Sequence, residues 1–260
     1  TDNIVYTGLQ FGNYYRLDLF NNERKSIKPK HKLGDSPLRF NWQTPILISP
    51  HNQDIIYFGS NKLHRSFNKG DDWGEISKDL TSGGKKGNVP YGTITSFDES
   101  NFQFGKLIVG SDDGIVSISN DSGKTWKSVS DNLPPDLWVS RVIFSKHEKN
   151  TIYLSLNGYR YNDFKPYIYL SNDNGDSWEN ISSNLPLSPV NVIREDINRK
   201  EILYVGTDNG LFISFSSGKK WHPFESSLNR VAVHDLVIQN EKNDLLVGTH
   251  GRSIYKTNLD

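Results

Sequence analysis

"SNDSGKTW" occupies positions 119–126 and "SNDNGDSW" positions 171–178. The two stretches are 52 residues apart, nearly identical, and each ends on tryptophan. Looser copies keep the same frame, "SFNKGDDW" at 66–73 and "SFSSGKKW" at 214–221. All four share a Ser, a Gly four residues later and a Trp three after that. The third position is Asn68, Asp121, Asp173 or Ser216, always a small polar side chain, and a Leu follows each Trp by seven residues, at Leu80, Leu133, Leu185 and Leu228. Self-similarity at a fixed period is the mark of a repeat architecture.

Two further themes flank the octets. A β-branched or aromatic run ends on a small residue: "IIYFG" at 55–59, "LIVG" at 107–110, "IYLS" at 152–155 and "LYVG" at 203–206. The same theme occurs without an octet as "IVYTG" at 4–8 and "LLVG" at 245–248. Upstream of it stand "TPILISP" from Thr44, "GTITSF" from Gly92, "VSRVIFS" from Val139, "VNVIRED" from Val190 and "VAVHDLVIQ" from Val231. Polar turns separate the themes, and no stretch keeps a helical period over three turns. Each unit therefore reads strand, turn, strand, turn, strand, octet, strand. Four short strands in a period of roughly 45 residues predict a β-propeller blade.

The expected fold is all-β: one propeller domain over 1–260, built of four-stranded antiparallel blades. Complete blades are expected at 40–80, 90–133, 138–185 and 189–228. Residues 1–29 lack a first strand and an octet, and 231–258 lack a fourth strand. Because raw strand edges invite association, an incomplete ring closed by further blades or another chain is expected. The octet makes the turn between the third and fourth strands. Its Gly supplies positive φ and its third residue bonds the backbone locally, while its Trp enters the layer between sheets. Ser66, Gly70, Trp73, Ser119, Asp121, Gly123, Trp126, Ser171, Asp173, Gly175, Trp178, Ser214, Gly218 and Trp221 are thus structural residues, and the acids fasten turns rather than catalyse.

The octets resemble the Asp-box (BNR) motif, S-x-D-x-G-x-T-W, which "SNDSGKTW" fits at every position. Asp boxes occur in sialidases, xyloglucan-cleaving glycosidases, sortilin-type receptors and propellers like the photosystem II assembly factor. The wording "YVGTDNGLFIS" at 204–214 and "LVGTHGRSIY" at 246–255 looks most like the sortilin-like propeller repeats of large secreted bacterial proteins, often labelled glycosyl hydrolases. The resemblance covers nearly the whole chain. It implies a propeller in a secreted or cell-envelope protein, and in those families the motif is structural.

Composition narrows the function. With 30 basic and 30 acidic residues in 260, the formal charge is zero, which removes the basic excess expected of a nucleic-acid binder. No run approaches the roughly 20 apolar residues of a membrane-spanning helix. There is no Cys, so no disulfide, thiolate nucleophile or thiolate metal site exists. The chain starts on Thr and has no Met, so a processed product or excised piece, with any signal peptide outside it, is expected. No metal-ligand spacing, phosphate loop or nucleophile motif is present, so no metal or cofactor is expected. "GGKKG" at 83–87 is read as a flexible loop between blades.

Candidate ligand residues lie where loops join the second to the third strand and precede the first. Trp42 and Trp138, the tryptophans outside the octets, precede first strands and would either offer a sugar platform or plug the ring's narrow end. The loop 156–167, "LNGYRYNDFKPY", carries Tyr159, Arg160 and Tyr161 in place of its neighbours' tight turns. Arg141, His250 and Arg252 would share that face. Asp112 and Asp113 read as turn residues, and nothing pairs Asp163 with Asp235 at the carboxylate separation a glycosidase needs. The leading expectation is a non-catalytic recognition or scaffold module binding glycan or protein at its axial face. The alternatives are part of a xyloglucanase-like glycoside hydrolase and a sortilin-like peptide receptor.

Overall fold

The computed structural model describes residues 3–84, 91–224 and 230–260. Leu228 and residues 85–87 of the "GGKKG" loop lie outside them. The described residues hold 22 strands and one three-residue 3-10 turn, in six small antiparallel sheets. The chain divides into two compact units, Thr1–Val129 and Ser130–Asp260.

Unit 1 holds three sheets. The first is β1 (Ile4–Gly8), β2 (Tyr14–Asp18) and β3 (Glu23–Ser26). The second is β4 (Ile46–Ile48), β5 (Ile56–Gly59), β6 (Leu63–Ser66) and β7 (Gly74–Glu75). The third is β8 (Ile94–Glu99), β9 (Leu107–Ser111), β10 (Val116–Ser119) and β11 (Lys127–Ser128). Unit 2 holds β12 (Trp138–Phe144), β13 (Ile152–Asn157), β14 (Tyr167–Ser171) and β15 (Glu179–Asn180), then β16 (Val190–Glu195), β17 (Leu203–Thr207), β18 (Gly210–Ser214) and β19 (His222–Pro223). Its last sheet is β20 (Val233–Gln239), β21 (Asp244–Thr249) and β22 (Ile254–Asn258). In every sheet the strands pair in chain order, the meander of a propeller blade.

Burial explains the apolar runs. In the four-stranded sheets the second strand is buried at every residue, as in β5, β9, β13 and β17. A strand covered on both faces needs no polar alternation, so it reads as a continuous apolar run. The outermost two-residue strands β7, β11, β15 and β19 are exposed. The small residue ending each run has a packing reason. A Cβ on Gly206 would stand 2.6 Å from Val233 Cγ1 and 2.7 Å from Val192 Cγ1, so only glycine admits these first-strand valines, one of them the next blade's.

Each octet is a turn fastened twice. Ser119 Oγ accepts the Gly123 N–H at 2.9 Å, and Asp121 Oδ1 accepts the Thr125 N–H at 2.9 Å. The other copies repeat this: Gly70, Gly175 and Gly218 donate to Ser66, Ser171 and Ser214, while Asp72, Ser177 and Lys220 donate to Asn68, Asp173 and Ser216. The glycine and the residue before it both take positive φ in all four. The indole then crosses to the preceding blade. Trp73, Trp126 and Trp221 donate Nε1–H to the carbonyls of Ile27, Ile76 and Ile181, each the first residue after that blade's last strand. Trp221 is buried and the other three octet tryptophans are half-buried.

Buried carboxylates add a second tie. Glu99 accepts from Ser49 and Tyr57 of the preceding blade, and Glu195 from Ser145 and Tyr153 of its own preceding blade. Burial pushes the Glu195 carboxyl above its ordinary value, although bonds from the Lys146 N–H, Ser145 and Tyr153 oppose the shift.

Candidate functional site

The first strands of unit 2 carry the densest polar cluster among the sequence candidates. Register slips at one place in each: between Val139 and Arg141 in β12, Val190 and Val192 in β16, and Val233 and Asp235 in β20. A bulge re-aims the skipped side chain and favours functional edges. Those residues are Ser140, Asn191 and His234. Asn191 Nδ2 donates to Asp208 Oδ1 at 2.8 Å, and its Oδ1 accepts from Asn157 Nδ2 at 2.9 Å. His234 lies 5.2 Å from His250, centroid to centroid. Burial, then the neighbouring His250, lower the basicity of His234, against an opposing pull from Asp208.

Beyond the bulges, charge converges on one oxygen. Asp235 Oδ1 receives Arg141 Nη2 at 2.8 Å and Arg194 Nη2 at 3.3 Å. Arg194 is pinned further by its Nε–H, which donates to the Leu236 carbonyl at 2.7 Å. The Arg141 Nε is buried and has no acceptor among the described residues. Two guanidiniums thus converge on one oxygen of a half-exposed carboxylate, a cationic pair suited to holding an anionic group.

The long loop stands at the same end of its sheet. Trp138 is the first residue of β12 rather than a residue before it, and pairs with Asn157, the last of β13. Asn157 Oδ1 accepts the Tyr159 N–H, which starts the 3-10 turn Tyr159–Tyr161. The turn closes through the Asp163 N–H to the Gly158 carbonyl, and Asp163 Oδ2 accepts the Tyr167 hydroxyl at 2.6 Å. Burial, and then the adjacent Asp163, push Tyr167 up to about 12. This anchoring sets Arg160 over the Trp138 ring, 3.8 Å from its centroid, and leaves the Tyr159 ring 6.0 Å from Phe164. Tyr159 and Tyr161 remain exposed at 58% and 47%.

The remaining candidates separate. His250 and Arg252 share the β21–β22 turn, where Arg252 has no ion pair among the described residues. Trp42 belongs to unit 1, exposed at 53%, with its ring edge-on to Phe11 at 5.2 Å. Asp112 and Asp113 are buried: Asp112 accepts from Gly92 and Thr93, Asp113 from Ser82 and Ser111. Sequence reasoning missed Arg194, Asn191 and His234. Their signal is faint: aligning first strands on the small residue of the second strand puts Arg141 and Asp235 at one register position, since each is the first paired residue past its bulge.

Known proteins resemble this chain mainly in fold. No family model matches it. The vacuolar protein sorting/targeting protein PEP1 of Saccharomyces cerevisiae is 31% identical over 99 residues, which are 38% of this chain and 5% of PEP1. A xyloglucanase of glycoside hydrolase family 74 from Xanthomonas campestris superposes with a TM-score of 0.73 at 18% identity, over 97% of this chain and 42% of that one. The fold is a β-propeller. YCF48 bound to D1 peptide matches with a TM-score of 0.64 at 11% identity, over 95% of this chain and 72% of YCF48. Identities this low carry the architecture and not the chemistry. The described residues contain no helix long and apolar enough to cross a membrane.

Proposed function

We propose that this chain is a non-catalytic recognition module of a secreted or cell-envelope protein, with the octets as Asp boxes and a ligand edge on unit 2. The observation that carries this reading is the pair of guanidiniums, Arg141 and Arg194, on one oxygen of Asp235. Together with Trp138 of β12 and the loop residues Arg160 and Tyr159, it forms an edge of mixed aromatic and cationic character, the composition that supplies binding energy in recognition sites. Of protein and glycan, a peptide with a carboxylate fits better, because Asp235 already shows how an incoming carboxylate would be held. YCF48, which superposes on this chain, was solved with a D1 peptide bound, so peptide binding has a precedent among its structural neighbours.

The hydrolase alternative gains no support from the edge. Catalysis of glycoside cleavage needs two carboxyl groups in distinct protonation roles across the bond. Here Asp235 is held by two arginines, Asp163 by Tyr167 and Asp208 by Asn191. The Asp163 carboxyl is lowered, chiefly by the Tyr167 hydroxyl, opposite to the shift a general acid requires.

The test is a peptide library and a glycan array probed with the purified chain, repeated with Arg160→Ala and Arg141→Ala. Selected peptides should share a carboxylate, and each variant should weaken them by about tenfold, or 1.4 kcal/mol, with an unchanged melting temperature. Ligands that bind both variants as tightly as the parent would refute the edge.

A further inference from the structure

A second candidate surface lies in unit 1, where the segment following β7 meets the next blade's octet. A groove of about 900 Å3 opens there. One wall is the segment following β7, from Ile76 to Thr81; the other is β10 with the octet residues Ser122, Gly123, Lys124 and Trp126. Four cations line it: Lys32, Arg65, Lys78 and Lys124. Among the described residues no carboxylate stands within 4.0 Å of any of them. The groove's two acids are neutralised from elsewhere, Glu75 by Lys62 at 2.9 Å and Asp79 by Arg39 at 2.6 Å. The groove therefore carries a local positive excess on a chain whose total charge is zero.

Arg65 is the fixed element. Its guanidinium lies 4.8 Å from the Phe67 centroid and 5.9 Å from that of Phe104. Its Nη1 reaches the Ser122 carbonyl at 3.4 Å, and its Nε is buried with no acceptor among the described residues. The other linings include Ile76, Leu80 and Ile115, the hydroxyl residues Ser77, Ser117 and Ser128, and the half-buried indole of Trp126. The Ser77 hydroxyl already accepts the Leu63 N–H at 2.8 Å. The Trp126 N–H is committed to the Ile76 and Gly123 carbonyls, so the ring offers the groove apolar surface only.

We propose that this groove binds an acidic oligosaccharide. Its anionic groups would meet Arg65, Lys78 and Lys124, and a sugar face would lie on Trp126. The indole of Trp126 favours a glycan over an acidic peptide, because a sugar ring presents a flat C–H face to an aromatic ring, which an acidic side chain does not. Carboxylate and sulfate present the same oxygen chemistry to these cations, and the experiment separates them.

Calorimetry on the full chain would compare oligogalacturonate, a heparin oligosaccharide, a neutral xyloglucan oligosaccharide and poly-glutamate. One of the acidic saccharides should bind, more weakly as salt rises, and the neutral sugar and poly-glutamate should bind at least tenfold more weakly. Lys78→Glu with Lys124→Glu, both at exposed side chains, should reduce binding at least tenfold with the melting temperature unchanged. Arg160→Ala should leave it unchanged, which separates this groove from the edge on unit 2. Failure of both acidic saccharides to bind, equal binding of poly-glutamate or of the neutral sugar, or binding indifferent to the lysine reversals would each overturn the proposal.

Discussion

The Trp126 indole N–H donates to the Ile76 carbonyl at 3.0 Å, and the glycine three residues before that Trp packs against the same isoleucine. A Cβ on Gly123 would stand 2.5 Å from the Ile76 carbonyl oxygen and 2.9 Å from its Cβ. The octet is therefore a latch between blades, and its Gly and Trp grip one residue of the neighbour. Gly218 and Trp221 do the same to Ile181.

Alanine at Gly123 meets two obstacles, a φ of +87° and the Ile76 backbone. The left-handed backbone costs about 1–2 kcal/mol and overpacking about 1–3 kcal/mol more. Gly251→Ala is the control, with φ at +77° and nothing within 4 Å of the added carbon. Urea unfolding should show Gly123→Ala losing about 2–5 kcal/mol and Gly251→Ala only the backbone share. Equal losses would mean that close approach to Ile76 contributes nothing.

Within the octet the serine should outrank the acid. Ser119 is buried, and Ser119→Ala strands the buried Gly123 N–H, at a cost of about 1–3 kcal/mol. Asp121→Asn keeps an acceptor for the Thr125 N–H, as Asn68 does natively for Asp72. The Thr125 hydroxyl and N–H hold the Asp121 carboxyl down at about 2, so its contribution is complete above the ordinary carboxylate value and fades only as pH falls towards 2. Thermal melts at pH 7 should therefore place Asp121→Asn below the parent, by the share the charge supplies, and Ser119→Ala lower still.

His64 gives stability a pH dependence of known sign. Its ring is buried against Ser60 Oγ at 2.9 Å, and burial pulls it down to about 4. Between roughly 6.5 and 4 the unfolded chain binds the proton and the folded one does not, so stability falls as pH falls, by up to about 3 kcal/mol. Asp112 and Glu195, raised by burial, tilt the other way. The difference between the parent and His64→Gln isolates the histidine. It should shrink from pH 7 to pH 5 in urea titrations; a constant difference would show that His64 is not buried neutral.

The blades were legible because their signals are local. Glycine four residues after serine is a turn requirement, and "IIYFG" or "LYVG" is what a strand covered on both faces must look like. The latch was half legible: burial of an octet Trp follows from its chemistry, but its acceptor, Ile76 or Ile181, is a backbone carbonyl without a sequence signature. The site was least legible. Arg141 could be named from its strand, yet its partners Asp235 and Arg194 lie 94 and 53 positions on, joined only when three first strands assemble. The bulges that expose Asn191 and His234 leave the alternation of side chains looking ordinary. In the unit 1 groove, Lys78 and Lys124 read as unremarkable surface charge until two blades bring them together.

On the proposed reading, Asp235 occupies the place an anion would take on the unit 2 edge. Its carboxylate is half-exposed, so a competing oxygen from solvent can reach Arg141 and Arg194 by displacing it. Asp235→Asn removes the competing charge while keeping an oxygen for the Leu236 N–H, which the native Oδ1 accepts at 3.0 Å. Sulfate titrated into the isotope-labelled chain should then shift the Arg141 and Arg194 side-chain resonances at severalfold lower concentration than in the parent. Arg141→Ala in the Asp235→Asn background should abolish the gain, because one of the two cations that would hold the anion is then gone. If Asp235→Asn leaves the sulfate response unchanged, the ion pairs with Asp235 are structural alone, and the edge holds no anion site.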